Sequence, residues 1–419
     1  MPLNFSQPIN NQTNNKPMNT PVNELKLRWR RCQTLLDQIQ PEASGLLVFS
    51  RLNIFYYSGS LINGVLWIPK ESEPTLFCKK GIERAKLESP LTNIVEFRSY
   101  RDLKSLLHDS GNSLDCCAAE MNGLPWSLAN SLQKYMTYTS FVSGDLILAI
   151  TRSKKSEREL EILRQIGEKH HRSLTRRLPA HLRRGMSELE IAHKISDIYF
   201  SEGHQGMLRM ETFGEEIYQG HIAIGESANY PSVFNGPVGL QGVHPATPFM
   251  GSEDIVWKKN QPLTIDNGFS IKGYQTDKTQ VYWLGDESTI PTDVQAAHNF
   301  CLEVQQMISE NLKPGAIPSR IYKDALKMVE KTPWKAGFMG LGKNKVCFVG
   351  HGIGLAVDEY PVLADKFDQP LEAGNVLAVE PKIGIEGLGM VGTENTFEVT
   401  ETGGISITGD DYQIICIDK

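Results

Sequence analysis

The sequence lacks several features that would place it in common functional classes. No apolar run reaches the roughly 20 residues that cross a bilayer, and the first residues, MPLNFSQPINNQTNNKPMNTP, have no basic stretch followed by an apolar one. There is no GxxxxGKS/T phosphate-binding loop and no HExxH zinc motif. The missing apolar run argues against a membrane-spanning protein, and the missing signal pattern leads us to expect the protein to remain in the cytoplasm.

Cysteine pairs and excess positive charge are also missing. The seven cysteines are an odd number and none stands in a CxxC pair, which indicates reduced thiols rather than a disulfide or zinc framework. Lys and Arg number 43 against 49 Asp and Glu, so the formal net charge is −6. A negative chain is not drawn to nucleic acid by long-range attraction. We therefore expect neither a nucleic acid nor a membrane as a partner.

The length of 419 residues favours two domains, because a single core usually stops growing at a smaller size. Residues 1–22 are rich in Asn, Gln and Pro, which predicts a disordered tail. Residues 23–150 mix a basic helix with strand-like runs such as SGLLVFS, GVLWIPK and PTLFCKK, which predicts an α/β domain. Residues 155–419 begin with helices opened by S-x-x-E capping boxes at Ser156 and Ser187, and strands dominate later, an α+β pattern.

Two aspartates stand in the segment LTIDNGFSIKGYQTDKTQVYWLG. Asp266 and Asp277 lie on the two arms of a predicted β-hairpin that turns near residues 270–273, so the arms bring them together. Each has an ordinary alternative as a turn or strand-end carboxylate facing water. Apolar neighbours such as Leu263 and Val281 favour at least partial burial, where acids need partners.

Three further polar residues have a similar apolar setting. Glu380 ends the run NVLAVEP, Glu394 lies in MVGTENTFEVT, and His351 follows a Phe-Val-Gly run in VGHGIG. Singly, each is explained as a strand-end charge or a hydrogen-bonded core histidine. Buried acids without compensation are costly, however, and a pair of divalent cations would neutralise them. Carboxylates with one imidazole suit Mn²⁺, Fe²⁺, Co²⁺ or Zn²⁺, and two bridged ions would stand roughly 3.5–4 Å apart.

The order of these motifs, D-x₁₀-D, GHGIG, an E-P strand end and a final T-E-N strand, resembles the creatinase/prolidase/aminopeptidase P family of M24 metallopeptidases. The resemblance covers about residues 155–419, and RLNIFYYSG in the N-terminal region looks like the family's smaller domain. It implies an α+β pita-bread catalytic domain behind an α/β creatinase-like domain. It also implies a homodimer or higher oligomer.

The resemblance also implies a set of metal ligands. Asp277 and Glu394 would bridge two ions, Asp266 and His351 would each serve one, and Glu380 would bind beside His351. Mn²⁺ is the first expectation for both ions, with Zn²⁺, Co²⁺ or Fe²⁺ as alternatives.

The sequence departs from the family at positions around the site. Where peptidases of the family usually carry a second histidine seven residues after the ligand histidine, this chain has Asp358. Phe234 and Cys347 replace two further histidines of the family, and Gly392 replaces an arginine. An ionised aspartate cannot donate to an oxyanion. Either Asp358 is protonated, or the reaction uses a different group, and an acidic pocket favours a positively charged substrate. The alternative is a solvated loop acid.

Three functions follow as expectations. The first is a metal-dependent hydrolase resembling Xaa-Pro dipeptidase or aminopeptidase P, in which a hydroxide on two metal ions attacks the bond next to proline in a short peptide and Glu380 shuttles its proton. The second is a non-peptidase enzyme of the same fold, as in creatinase or dimethylsulfoniopropionate lyases, acting on a cationic small molecule with Asp358 as base or cation binder. The third is a catalytically silent binding module.

His221 and His244 are interpreted as structural or surface residues.

Overall fold

The computed structural model describes residues 20–109 and 114–418, and the chain divides into two compact units, Met1–Leu148 and Ala149–Lys419. The predicted tail over residues 1–22 lies outside the described residues as far as residue 19, and Val22 already begins the first helix. Within the described ranges, no helix combines the length and apolar character needed to span a bilayer.

The first unit is an α/β structure built around one mixed sheet. Its strands are β1 (Gly45–Val48), β2 (Asn63–Pro69), β3 (Thr75–Lys80), β4 (Asn93–Glu96), β5 (Cys116–Ala119) and β6 (Ser140–Ser143). Its helices are α1 (Val22–Ile39), α2 (Arg51–Ser58), α3 (Ile82–Glu88), α4 (Tyr100–Asp109) and α5 (Trp126–Tyr135). The sheet order is β4-β3-β2-β1-β5-β6. The three strand-like runs of the sequence are thus confirmed as β1, β2 and β3.

The second unit begins with helices and ends with strands, as the α+β pattern predicts. Its helices are α6 (Asp145–Ser153, which starts before the boundary), α7 (Glu157–Arg172), α8 (Glu188–Glu202), α9 (Thr292–Asn311) and α10 (Pro318–Val329). Its strands are β7 (Gly220–Ile224), β8 (Pro262–Ile271), β9 (Tyr274–Leu284), β10 (Phe348–Gly352), β11 (Glu359–Ala364), β12 (Val376–Val379), β13 (Lys382–Ile385), β14 (Gly389–Gly392), β15 (Asn395–Thr400), β16 (Gly403–Ser406) and β17 (Ile415–Ile417).

The strands of this unit form two main sheets and a hairpin. The sheets have the orders β11-β10-β12-β15-β16 and β17-β9-β8-β7, and β13 pairs with β14. Apart from the parallel pair β17–β9, these pairings are antiparallel. A bridge between Thr279 and Glu394 joins β9 to the chain just before β15, so the two sheets meet at this point.

Local sequence signals set the positions of α7, α8 and the β8–β9 hairpin. Both capping boxes are confirmed: Ser156 opens α7 and Ser187 opens α8, each side chain accepting from the backbone N–H three residues on. The hairpin turns at Lys272 and Gly273, both with positive φ, as a two-residue turn between twisted strands requires. The hairpin is the longest pairing of the unit and carries both predicted aspartates.

Candidate metal centre

The β8–β9 hairpin places Asp266 and Asp277 on one face. In the strand register Gly268 faces Asp277 and Asp266 faces Thr279, so the two aspartates are diagonal neighbours. Asp277 is buried, and Asp266 is nearly so. The Thr279 hydroxyl lies 2.9 Å from Asp266 Oδ1 and 3.0 Å from a Glu394 oxygen, which ties the hairpin to the last ligand position.

His351 lies near the end of β10, between two glycines at positions where neighbouring backbones pass very close. A Cβ at Gly350 would lie 2.4 Å from the carbonyl oxygen of Ala378, and one at Gly352 would lie 2.3 Å from that of Tyr360. No side chain fits at either place. The GHG sequence therefore allows β10 to lie between β11 and β12, with the side chain of His351 at the candidate metal centre.

Glu380 and Glu394 lie in the chain segments directly after β12 and directly before β15. Glu380 follows the last residue of β12, and Glu394 precedes β15; both are buried. His351 Nε2 lies 3.4 Å from Glu380 Oε1 and 3.8 Å from Glu394 Oε1. The five residues singled out in the sequence thus converge from four separate segments.

Three of the five form a compact set of donor atoms. One ligand atom from each of Asp277, His351 and Glu394 lies within 4.8 Å of the others. The other ring nitrogen of His351, Nδ1, is 3.0 Å from the carbonyl oxygen of Gly352, so a proton on Nδ1 has an acceptor and Nε2 is the atom that would bind a cation. Two carboxylates and an imidazole so arranged are suitable ligands for a divalent transition metal, which would bind the ring in its neutral form.

Lys382 is a further member of this cluster, and sequence reasoning missed it. Its side chain is completely buried, and its Nζ donates to Glu394 Oε2 at 2.7 Å and to Glu380 Oε2 at 2.9 Å. It also pairs with Asp266 Oδ2 at 3.2 Å. Burial alone would lower the pKa of Lys382, but the three carboxylates outweigh burial and raise it well above its ordinary value, so the ammonium is charged.

Negative charge remains in excess on the His351 side of the cluster. Burial and the charge of Asp266 raise the pKa of Asp277 to about 7, and burial and Asp277 raise that of Glu394 well above its ordinary value. Burial would lower the pKa of His351, but Glu380 and Asp277 raise it to about 9. The carboxylates beside His351 therefore favour a positive charge between them, and the donor set fits a divalent cation.

A cavity opens above these residues. Its walls include His221 and Phe234, whose rings meet edge to face at 5.2 Å, and the acids Glu215 and Asp358. Burial lowers the pKa of His221, and burial and the charge of Asp358 raise that of Glu215. The cavity thus has acidic side chains both at its base and in its walls.

Asp358 lines this cavity, but its carboxylate already has hydrogen-bond donors. Oδ1 accepts from the backbone N–H of Glu211 at 2.5 Å, and Oδ2 accepts from the N–H and hydroxyl of Thr212 at 3.0 and 2.5 Å. The carboxylate therefore holds the loop at residues 211–212, whose Thr212 also lines the cavity.

The other histidines considered in the sequence, and the positions where this chain differs from the family, have ordinary structural settings. His244 is exposed and accepts a hydrogen bond from the backbone of Ala246, in agreement with its interpretation as a surface residue, whereas His221 is buried in the cavity wall. Cys347 is exposed. Gly392 has φ 137°, and a Cβ there would lie 2.6 Å from the Cα of Lys382, so this backbone has no room for the arginine usual in the family.

Glu359, the residue after Asp358, makes a buried ion-pair cluster beside the site. It pairs with Arg152 and, at 3.0 Å, with Lys155, and it accepts from the backbone N–H groups of Leu355 and Ala356. Although burial opposes ionisation, these partners lower the pKa of Glu359 to about 2. The cluster fixes the chain between His351 and Asp358.

We expect Glu359→Gln to lower the free energy of unfolding by about 3 kcal/mol, because it removes the buried carboxylate that pairs with both Arg152 and Lys155. Since the pKa of Glu359 in the folded state lies below its ordinary 4.5, its contribution is complete above pH 4.5 and is lost as pH falls towards 2. Urea unfolding of both proteins between pH 6 and pH 3 measures this. A difference between them that stays constant with pH would contradict the assignment.

Comparison with known proteins identifies the class of the fold. The Xaa-Pro dipeptidase of Bacillus anthracis superposes with a TM-score of 0.76 at 20% identity, covering 94% of this chain and 99% of that one. Dipeptidase PepE of Mycobacterium ulcerans gives 0.77 at 20% identity, covering 96% and 100%. The protein has the pita-bread fold with an N-terminal creatinase-like domain, as the resemblance predicts.

Sequence relatives and family models then give the family. The model of metallopeptidase family M24 matches residues 161–401, and that of the creatinase/prolidase N-terminal domain matches residues 28–154. The putative dipeptidase YkvY of Bacillus subtilis is 25% identical over 375 residues, covering 86% of this chain and 92% of the relative. The Xaa-Pro dipeptidase of Pyrococcus furiosus is 23% identical over 366 residues, covering 87% and 93%. The chain belongs to metallopeptidase family M24 and is a divergent member of it.

Proposed function

We propose that the protein is a metal-dependent hydrolase that cleaves the bond next to proline in short peptides. The observation that carries this proposal is the set Asp277, His351 and Glu394 at the base of the cavity, with Glu380 beside it. The names of the relatives from Bacillus anthracis and Pyrococcus furiosus, both Xaa-Pro dipeptidases, support the substrate class. Mn²⁺ is our first choice of metal.

The residues of the site have separate roles in the proposed hydrolysis: three would bind the metal, and a fourth would transfer a proton. A bound divalent cation supplies a Lewis acid and lowers the pKa of a water molecule. Asp277, Glu394 and the Nε2 atom of His351 would hold the cation. Glu380 lies beside them, and Lys382 holds one of its carboxylate oxygens while the other faces His351. We assign to Glu380 the transfer of the proton from the attacking water to the leaving nitrogen.

The acidic walls support a role in binding positive charge. Glu215 and Asp358 both line the cavity, and a free amino terminus is the cation that a dipeptide offers. The same walls also favour the second candidate, a non-peptidase reaction on a cationic small molecule, because Phe234 and Asp358 supply no donor for an oxyanion where the family has histidines.

Hydrolysis of an Xaa-Pro dipeptide by the Mn²⁺-loaded protein tests the proposal. We expect turnover that a chelator abolishes and Mn²⁺ restores, with an Xaa-Ala dipeptide of the same first residue as the matched control for the proline preference. A metal-loaded protein that cleaves neither dipeptide would contradict the peptidase assignment and favour the cationic small molecule; a protein that also fails to bind metal would favour a silent binding module.

Asp358→Asn tests the contribution of the cavity wall. We expect activity to fall by about 10²-fold, the scale on which a functional carboxylate is lost, with the metal content unchanged because Asp358 is not a ligand. If the carboxylate binds the positive charge of the substrate, the substitution should raise KM. If the carboxylate acts as an acid or base, the substitution should lower kcat. The exposed Asp365→Asn is the control. Full activity of Asp358→Asn would reduce the residue to a loop acid, and gain of Xaa-Pro hydrolysis by Asp358→His would show that aspartate directs the site away from peptides.

We also propose that the protein is a homodimer or higher oligomer, as the resemblance implies, and that it acts in the cytoplasm. Light scattering at micromolar concentration would contradict the dimer if it gave the monomer mass of 46.9 kDa.

A further inference from the structure

Lys382 lies among three carboxylates of the candidate metal centre. It is the first residue of β13, two positions after Glu380, and its cross-strand partner is Gly392. Since Gly392 has no side chain and no room for one, the lysine is the residue of this hairpin pair that reaches the site. The positive charge that the family's arginine would supply from β14 is thus supplied from β13.

The ammonium group of Lys382 contacts three carboxylates from different residues. It donates hydrogen bonds to Glu394 at 2.7 Å and Glu380 at 2.9 Å, and it forms an ion pair with Asp266 at 3.2 Å. A bridging divalent cation in a two-metal site makes the same kind of connection, joining carboxylate oxygens of separate residues. Lys382 therefore performs at this place the charge neutralisation that an ion would perform.

The donor atoms that stay available lie on the other side of the cluster. Among the described residues, the set with ligand atoms close enough to share one ion is Asp277, His351 and Glu394, and Asp266 is not part of it. Asp266 instead directs one oxygen to Lys382 and the other to the Thr279 hydroxyl. An ion bound through Asp266 would have to displace a completely buried ammonium that has no solvent to move into.

We propose that the Lys382 ammonium takes the place of the second metal ion, so that the chain binds one divalent cation, at Asp277, His351 and Glu394, with Glu380 held beside it. This inference rests on the proposed metal-dependent function and fixes the number of ions. Lys382 is then a positioning residue: it holds Glu380 and Glu394 in the orientation that a pair of bridged ions would otherwise impose.

Metal stoichiometry with Mn²⁺ alone tests the proposal. The full-length protein, freed of metal and dialysed against excess Mn²⁺, is analysed for bound manganese by mass spectrometry and for its spin state by electron paramagnetic resonance. We expect about one Mn²⁺ per chain with the hyperfine pattern of an isolated ion. Two Mn²⁺ per chain, or the spectrum of an exchange-coupled pair, would overturn the inference and show that Lys382 merely replaces the family's arginine. That result would leave the proposed hydrolase intact, whereas a protein that binds no Mn²⁺ would overturn both.

Replacement of the lysine provides the second arm. Lys382→Ala frees three carboxylates, and we expect bound Mn²⁺ to rise from about one to about two per chain, with exchange coupling. Lys278→Ala is the matched control, since Lys278 is equally buried but donates to Asn395 Oδ1 at 2.6 Å rather than to these carboxylates; it should stay at one. A Lys382→Ala protein that folds and still binds a single ion would contradict the proposal. If it does not fold, the less disruptive Lys382→Met and the count on the unaltered chain decide.

Discussion

Replacing His351 by alanine is expected to remove the bound metal and to lower Xaa-Pro hydrolysis by about 10³-fold. The imidazole is the nitrogen donor among the carboxylates of the proposed site, and its Nε2 faces both Glu380 and Glu394. A metal ion contributes several kcal/mol of charge stabilisation to the transition state, and each 1.36 kcal/mol corresponds to a tenfold change in rate. Metal analysis and steady-state kinetics on the same preparation measure both effects.

His244→Ala is the control for this experiment. His244 is exposed and does not line the cavity, so its loss should change neither metal content nor rate. If His351→Ala kept its metal and its activity, the assignment of the GHGIG histidine as a ligand would be wrong. If both variants lost activity alike, the effect would lie in folding rather than in the site.

Glu380→Gln is expected to lower kcat by 10²-fold or more while the protein still binds metal. The amide keeps the size of the side chain and a carbonyl oxygen for Lys382, but it cannot accept the proton of the attacking water. General acid–base groups typically contribute about 10²–10⁴ in rate. Asp277, His351 and Glu394 remain to hold the ion. The pH dependence of kcat should change together with its magnitude.

The matched control is Glu386→Gln, an exposed glutamate in the turn between β13 and β14. We expect it to have the kinetics of the unaltered protein. Should Glu380→Gln retain full kcat with metal bound, proton transfer would have to be assigned to another group in the cavity, and Asp358 would be the first to examine.

Parts of this architecture could be predicted from the sequence because they depend on local patterns. The capping boxes at Ser156 and Ser187 fix two helix starts, and apolar alternation with a Lys-Gly turn fixes the hairpin that carries Asp266 and Asp277. The convergence of His351 with these residues depends on pairing between distant strands, and only resemblance to the family supplied it.

The residues that sequence analysis missed have their partners far away in the chain. Lys382 in EPKIG is an ordinary strand lysine until the fold brings Asp266 and Glu394 to its ammonium. Likewise, nothing local distinguishes Asp358, which turns to the loop at residues 211–212, from Glu359, which turns to Arg152 and Lys155. A signal was present in one case: a lysine two residues after a suspected ligand, opposite a glycine where the family has arginine.

The most direct test of the proposed metal centre is anomalous X-ray diffraction at the manganese absorption edge, from crystals of the protein grown with Mn²⁺. We expect an anomalous peak within coordination distance of His351 Nε2 and of carboxylate oxygens of Asp277 and Glu394. Absence of a peak among these three side chains, in crystals whose Mn²⁺ concentration saturates the protein in solution, would contradict the metal centre and the hydrolase built on it.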